Sequence, residues 1–256
     1  MIGHAEHGAL VLADISGFTA FVTATELEHG PPIVAELLET VVGCLSPPLE
    51  IQGVEGDAVF ALAPDRAVVP PARLLDVLDG AFVAFRARQR DIQEAGDPCP
   101  CQACQNVATL DLKIVVHHGR FLRQVIGGRG QVAGADVILA HRLLKNGVAP
   151  GRAYLLLTET AVRWAGLDPT RAGLSARTEH YEHLGDVRCF VRALGHGASD
   201  RAPRRPPTWA ERPAVVPVAP AHEPRVARNA LSGTGWRHRQ GAVGAGGRGQ
   251  PARWPR

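Results

Sequence analysis

Apolar and polar positions along this chain alternate between two periods, and the switches mark out the elements. Ala9-Leu10-Val11-Leu12-Ala13 is a short, unbroken apolar run that predicts a strand over 8–14. Helices are expected near 17–28 and 31–45, the second opened by Pro31-Pro32 and closed by Pro47-Pro48. Two apolar segments, Leu49 to Val54 and Ala58 to Leu62, flank Glu55-Gly56-Asp57, whose Gly and Asp are tight-turn residues; together they read as a hairpin. Over 71–95, Leu74, Leu75, Val77, Leu78, Phe82 and Phe85 fall on one broad helical face suited to packing on a sheet. Strands near 111–117 and 120–126, a helix near 134–145, and strands near 153–157 and 188–193 complete the body. This order predicts an α+β domain, helices covering one face of a mainly antiparallel sheet, consistent with a ferredoxin-like core.

Two aspartates interrupt this pattern. Asp14 ends the first apolar run and Asp57 lies at or beside the hairpin tip, places where a carboxylate has little reason to sit unless it binds something. If the hairpin pairs beside the first strand, the two carboxylates converge, and oxygen ligands of this kind suit Mg²⁺ or Mn²⁺ held with substrate phosphates. Gly17 follows in Ser16-Gly17-Phe18-Thr19, where a strand turning into a helix directs free backbone N–H groups at a phosphate. The competing reading makes Asp14 a helix N-cap and Asp57 an ordinary turn residue.

Asp14-Ile15-Ser16-Gly17-Phe18-Thr19 after a strand, followed some forty residues on by Gly56-Asp57-Ala58-Val59-Phe60-Ala61, resembles the catalytic domain of class III nucleotidyl (adenylate/guanylate) cyclases. Leu112 through Gly119 is similar to that family's strand ending in His-x-Gly. Gly134 through Leu143 is similar to its Gly-x-x-Val-Asn-x-Ala-x-Arg helix. The resemblance spans roughly residues 8–195, and within the family the chain looks closest to a divergent bacterial branch with a Cys-rich insert at a comparable place.

The resemblance implies a metal site made by Asp14, the Ile15 carbonyl and Asp57, a phosphate loop at Ser16, Gly17, Phe18 and Thr19, and a transition-state arginine at Arg142. It implies a homodimer in which Arg142 of one subunit reaches the nucleoside triphosphate held by the other. Several departures accompany these matches. Ile138 stands where the family has a ribose-orienting asparagine, and Gly53 and Gln131 stand at the two base-selecting positions. A late phosphate-binding lysine should lie near Leu184 to Arg188; no lysine is there, and Arg188 is the candidate substitute. Two readings follow: a purine nucleotide cyclase, a phosphorus–oxygen lyase of weak base selectivity, or an inactive nucleotide-sensing or dimerisation module of the same fold. An RNA-binding ferredoxin-like module is disfavoured because the sheet lacks stacking aromatics.

Charge divides the chain. From Arg201 onward eleven arginines face only Glu211 and Glu223, a net +9, whereas the preceding part carries 17 basic and 23 acidic residues, a net −6. This last part also holds nine of the twenty prolines and no hydrophobic period, so the expected organisation is a cyclase-like domain over 1–198 and a disordered tail over 199–256. The tail is a solvated extension or a basic arm, and nucleic acid is not an expected partner otherwise. No apolar run approaches 18 residues and the amino terminus lacks signal-peptide features, so a cytoplasmic location without a membrane span is expected.

Cys99, Cys101 and Cys104 pack three of the five cysteines into an insert at about 96–108. With an odd number of cysteines a disulfide framework is not expected. The cluster is a zinc site, a redox-active thiol group or a set of plain loop cysteines. For zinc a fourth ligand is needed, from His117, His118, Cys44, Cys189 or a second subunit. His117 and His118 are neighbours on a strand and point to opposite faces, which favours structural roles.

Overall fold

The computed structural model describes residues 4–65, 73–95, 99, 101–149 and 151–195. The expected tail over 199–256 lies outside the described residues, as does part of the Cys-rich insert. Among the described residues, eight strands form one sheet in the order β2-β3-β1-β4-β6-β8-β7, with β5 paired to β4. These are β1 (Glu6–Ser16), β2 (Glu50–Glu55), β3 (Ala58–Pro64), β4 (Asp111–Ile126), β5 (Arg129–Ala133), β6 (Tyr154–Thr158), β7 (Ser175–Tyr181) and β8 (Gly185–Ala193). Every pairing is antiparallel except β4 with β6. The helices are α1 (Phe18–Ala24), α2 (Gly30–Leu45), α3 (Leu74–Ala95), α4 (Gln102–Asn106), α5 (Ala135–Leu143) and α6 (Glu159–Trp164). No described helix is long and apolar enough to cross a membrane.

Strand periodicity of two sorts the core. Ala9, Val11, Ala13 and Ile15 of β1 point to the face covered by α2 and α3, where Leu37, Leu78 and Phe85 are fully buried. Leu10 and Leu12 point to the other face and pack with Phe60, Leu62, Val137 and Ala140, so α5 covers part of a side that the periodicity left bare. Asp14 continues the Leu10–Leu12 alternation and therefore emerges on the α5 face.

β4 is one 16-residue strand, where a break near Gly119 was expected. Gly119 stays in the ladder opposite Gly8, and the reason for its glycine lies on the α5 side. A Cβ there would stand 2.6 Å from both Cβ and Oδ2 of Asp136. α1 ends at Ala24, short of the expected 28, because Thr25 turns extended and a tight corner through Glu26 leads directly into α2. The elements α4, α6, β5 and β7 carry no strong apolar period and were not expected.

Candidate functional site: a cleft between the sheet and α5

Register delivers the first aspartate. Asp14 on β1 lies directly opposite Ala58 on β3 and Lys113 on β4, and Lys113 lies opposite Tyr154 on β6, so these four form one row across the sheet. Lys113 Nζ stands 2.8 Å from Asp14 Oδ2, with both side chains largely withdrawn from solvent. A lysine inside the apolar run 112–117 is itself a signal of a buried charge needing a partner.

The hairpin tip delivers the second aspartate. Gly56 adopts φ 64° and starts the turn, and the Ile15 amide donates to the Asp57 carbonyl at 3.0 Å, which ties the tip to the end of β1. Burial, then the negative charge of Asp14, push the Asp57 carboxyl above its ordinary value, and Lys113 offsets this only in part. Two neighbouring carboxylates are oxygen donors of the kind a divalent cation takes.

Asp14 and Lys113 line an open cleft of about 540 Å³ whose other wall is α5 and the turn after it, including Ile138, His141, Arg142 and Lys145. Ile138, Arg142 and Lys145 recur at helical spacing, which explains their common face. Arg142 makes no ion pair with a carboxylate among the described residues. Within a single chain, Asp14 and Arg142 thus border the same cleft. Lys145 is a residue the sequence reading missed: the expected late lysine was sought near 184–188, whereas this one lies three residues past Arg142. Arg188 is paired with Glu159 at 3.3 Å.

Neither base-selecting position lines the cleft. Gly53 lies opposite Phe60 on β2, and no atom approaches within 4 Å of where its Cβ would be. Gln131 is exposed on β5, opposite Gln124. At the proposed phosphate loop, Gly17 has φ 89° and serves as the N-cap of α1. Ser16 Oγ donates to the Arg152 carbonyl at 2.8 Å, and the Arg152 guanidinium donates back to the Ser16 carbonyl at 3.2 Å. That guanidinium occupies the space beside Gly17, so the turn is covered by a cation. Phe18 packs against the core and Thr19 is exposed.

The adjacent histidines do divide between the two faces. His117 is buried beneath α5, with Nε2 3.1 Å from Asp136 Oδ1 and Nδ1 2.9 Å from Thr158 Oγ1. Burial pushes its imidazole below the ordinary value, against the pull of Asp136. Burial works on Asp136 in the opposite sense, yet the Arg120 amide at 2.7 Å and His117 hold its carboxyl below the usual range. His118, on the other side, meets Asp65 at 3.0 Å and stacks on Trp164.

Away from the cleft, the three insert cysteines converge with a residue the sequence reading did not name. His29, Cys99, Cys101 and Cys104 place their ligand atoms within 4.8 Å of one another. None of the four expected partners fills this place. His117 is engaged with Asp136, His118 with Asp65, Cys44 packs within α2 against the core, and Cys189 is buried on β8. His29 is distant in sequence and carries no motif of its own.

Against proteins already known, 155 residues of this chain are 32% identical to a Mycobacterium tuberculosis protein described as uncharacterized protein Rv2561/Rv2562, covering 60% of this chain and 70% of that one. The chain belongs to that protein's family. A family model described as protein of unknown function (DUF2652) matches this family member over residues 34–153. Among solved structures, the guanylyl cyclase Cya2 is similar with a TM-score of 0.58 and 18% identity, over 77% of this chain and 97% of that one. The adenylyl cyclase CyaB from P. aeruginosa gives 0.57 and 14%, over 80% and 99%. The catalytic core of a rhodopsin-guanylyl cyclase with converted specificity, in complex with ATPαS, gives 0.51 and 14%, over 74% and 99%. At these identities the likeness establishes the fold, which is that of nucleotidyl cyclase domains.

Proposed function

We propose that this family member binds a divalent cation, Mg²⁺ or Mn²⁺, together with a nucleoside triphosphate in the cleft, and converts the nucleotide slowly to a cyclic product. The observation that carries the reading is a cleft with Asp14 on one side and Arg142 and Lys145 on the other, with the Asp57 carboxyl near enough to feel the charge of Asp14. A cleft acidic at one end and cationic at the other matches a metal-bound polyphosphate better than a neutral ligand.

Asp14, Asp57 and the Ile15 carbonyl would hold the cation. When bound, it supplies Lewis acidity toward the ribose 3′-hydroxyl and neutralises phosphate charge. Lys113 pairs with Asp14; with Asp14 engaged as a ligand, its ammonium would be left to turn toward a phosphate oxygen. Arg142 is a forked donor for phosphoryl oxygens as charge builds on them in the transition state. Lys145, one turn on, offers a point charge for the leaving pyrophosphate. Ile138 has no donor or acceptor for the ribose, so the sugar is positioned less well than a polar side chain would position it. With Gly53 and Gln131 at the base-reading positions, discrimination between ATP and GTP is expected to be weak.

The resemblance supports a homodimer as the working unit, with Arg142 of each chain acting in the cleft that its own Asp14 borders. Val54, Leu122, Val125, Ile126 and Ile138 are exposed large apolar side chains on β2, the β4–β5 arm and α5, and this concentration favours a buried interface there. The second reading, a module that binds nucleotide without turning it over, is favoured by one specific observation, the apolar Ile138 facing the cleft beside Arg142. Incubating the purified full chain with Mn²⁺ and each of the four nucleoside triphosphates separates the two. Cyclic product supports the enzyme, and nucleotide binding without product supports the module.

A further inference from the structure

Four devices hold His29, Cys101 and Cys104 in place independently of any ion. Cys101 is the N-cap of α4 and its Sγ accepts from the Cys104 amide at 3.3 Å, which brings Cys104 over it on the first turn. His29 stands immediately before α2, held by its own amide and that of Gly30, both donating to the Glu26 carbonyl at 3.1 and 2.7 Å. The Glu26 carboxylate then crosses to the insert, accepting from the Gln102 amide at 3.0 Å and the Ala103 amide at 3.3 Å. Ala103, Val107 and Leu110 are fully buried behind it. The insert is therefore docked on the α1–α2 corner through its backbone, and the Cys101 and Cys104 thiols are presented by a supported element.

The distances fit one ion. His29 Nδ1 lies 3.2 Å from Cys101 Sγ and 3.9 Å from Cys99 Sγ. A tetrahedral zinc with Zn–S of about 2.3 Å and Zn–N of about 2.0–2.1 Å has edges of about 3.6–3.8 Å between ligand atoms. We propose that His29, Cys99, Cys101 and Cys104 form a Cys₃His zinc site that staples the insert to the corner between α1 and α2. Three thiolates and an imidazole are soft donors that select zinc over Mg²⁺ or Mn²⁺, so this site does not compete for the cation of the cleft. Four protein ligands close the tetrahedron and leave no position for substrate, which makes the role structural. The ligands run from His29 to Cys104, so bound zinc contributes to folding by closing a long loop as well as by its bonds.

The test uses the full chain, expressed in zinc-supplemented medium and purified without chelator. Elemental analysis is expected to find one zinc per chain. Cys104→Ser and His29→Ala should each lose most of it, His29→Cys should regain it, and Asp57→Ala should keep it, which separates this metal from the cleft. Stripping the wild type with a chelator should lower the melting temperature, and zinc chloride should restore it. Cobalt(II) chloride added to the stripped wild type should give the intense visible bands of a tetrahedral thiolate site, a readout that survives even if a variant fails to fold. Zinc-free protein of unchanged stability, a disulfide between two of the three cysteines, or zinc content indifferent to both His29→Ala and Cys104→Ser would overturn the assignment.

Discussion

Asp14 and Lys113 face each other directly across β1 and β4 and close to 2.8 Å on the side of the sheet that α5 covers. The pair keeps an acidic site electrically quiet while Asp57, next to it, is pushed up by burial and by Asp14. Lys113→Met should lower stability in the absence of divalent ions by about 1–3 kcal/mol, the usual cost of leaving a withdrawn charge without its partner. The same change should tighten Mn²⁺ binding on the order of tenfold, because a competing cation has been removed. Calorimetric titration with Mn²⁺ alone reads this; weakened or unchanged affinity would mean that the carboxylates are not the ion's ligands.

Burial of His117 predicts an acid-sensitive stability. Its folded-state pKa is lowered from an ordinary 6.5, so the unfolded chain takes up the proton first. The contribution is complete above about pH 6.5 and is lost as pH falls below it toward the folded value. Urea unfolding at about pH 7.5 and about pH 5.5 should show a fall in stability for the wild type that is smaller in His117→Asn. A wild-type profile that is flat or rises over this window would contradict the neutral, buried imidazole.

Two glycines on the α5 face should respond in opposite ways to a methyl group. At Gly119 a Cβ would press into Asp136 and strain its bonds to the Arg120 amide and to His117, so Gly119→Ala should cost about 1–3 kcal/mol. At Gly53 the surrounding space is open, and Gly53→Ala should stay within about 0.5 kcal/mol of the wild type. Chemical denaturation compares them, and equal losses would contradict the packing described for Asp136.

These contrasts show what was legible in the sequence. β1 follows from an unbroken apolar run, the hairpin from two apolar segments about a Gly–Asp turn and α3 from helical period, and Asp14 and Asp57 announce themselves because carboxylates are costly in such company. Arg142 and Ile138 share a face by helical arithmetic, and extending that arithmetic by three residues would have reached Lys145. His29 was not legible: its meaning comes from a corner that folds back on an insert 70 residues later, and nothing local marks it. Lys113 was legible in principle as a charge within an apolar strand, yet only register reveals that its partner is Asp14. The continuity of β4 through Gly119 likewise depends on Asp136, which belongs to another element.

Turnover should depend on the α5 wall. Removing one oriented donor at a reacting site costs on the order of 10²–10³ in rate, so the wild type, with Ile138, is expected to be slow. Ile138→Asn should raise turnover of cyclic product, and Arg142→Ala should abolish it while nucleotide binding persists in weakened form. Product assays under Mn²⁺ check both, and an Ile138→Asn protein that binds nucleotide yet yields nothing would leave only the binding module.

Nucleotide binding is proposed to depend on a divalent cation through Asp14 and Asp57. Its most direct measurement is the affinity of the full chain for each nucleoside triphosphate, with and without Mn²⁺, in the wild type and in Asp57→Ala. Binding should depend on Mn²⁺ in the wild type and be lost in Asp57→Ala, whose melting temperature should be nearly unchanged because Asp57 lies in a two-residue turn. Equal nucleotide affinity in the two proteins, or wild-type affinity indifferent to Mn²⁺, would contradict it.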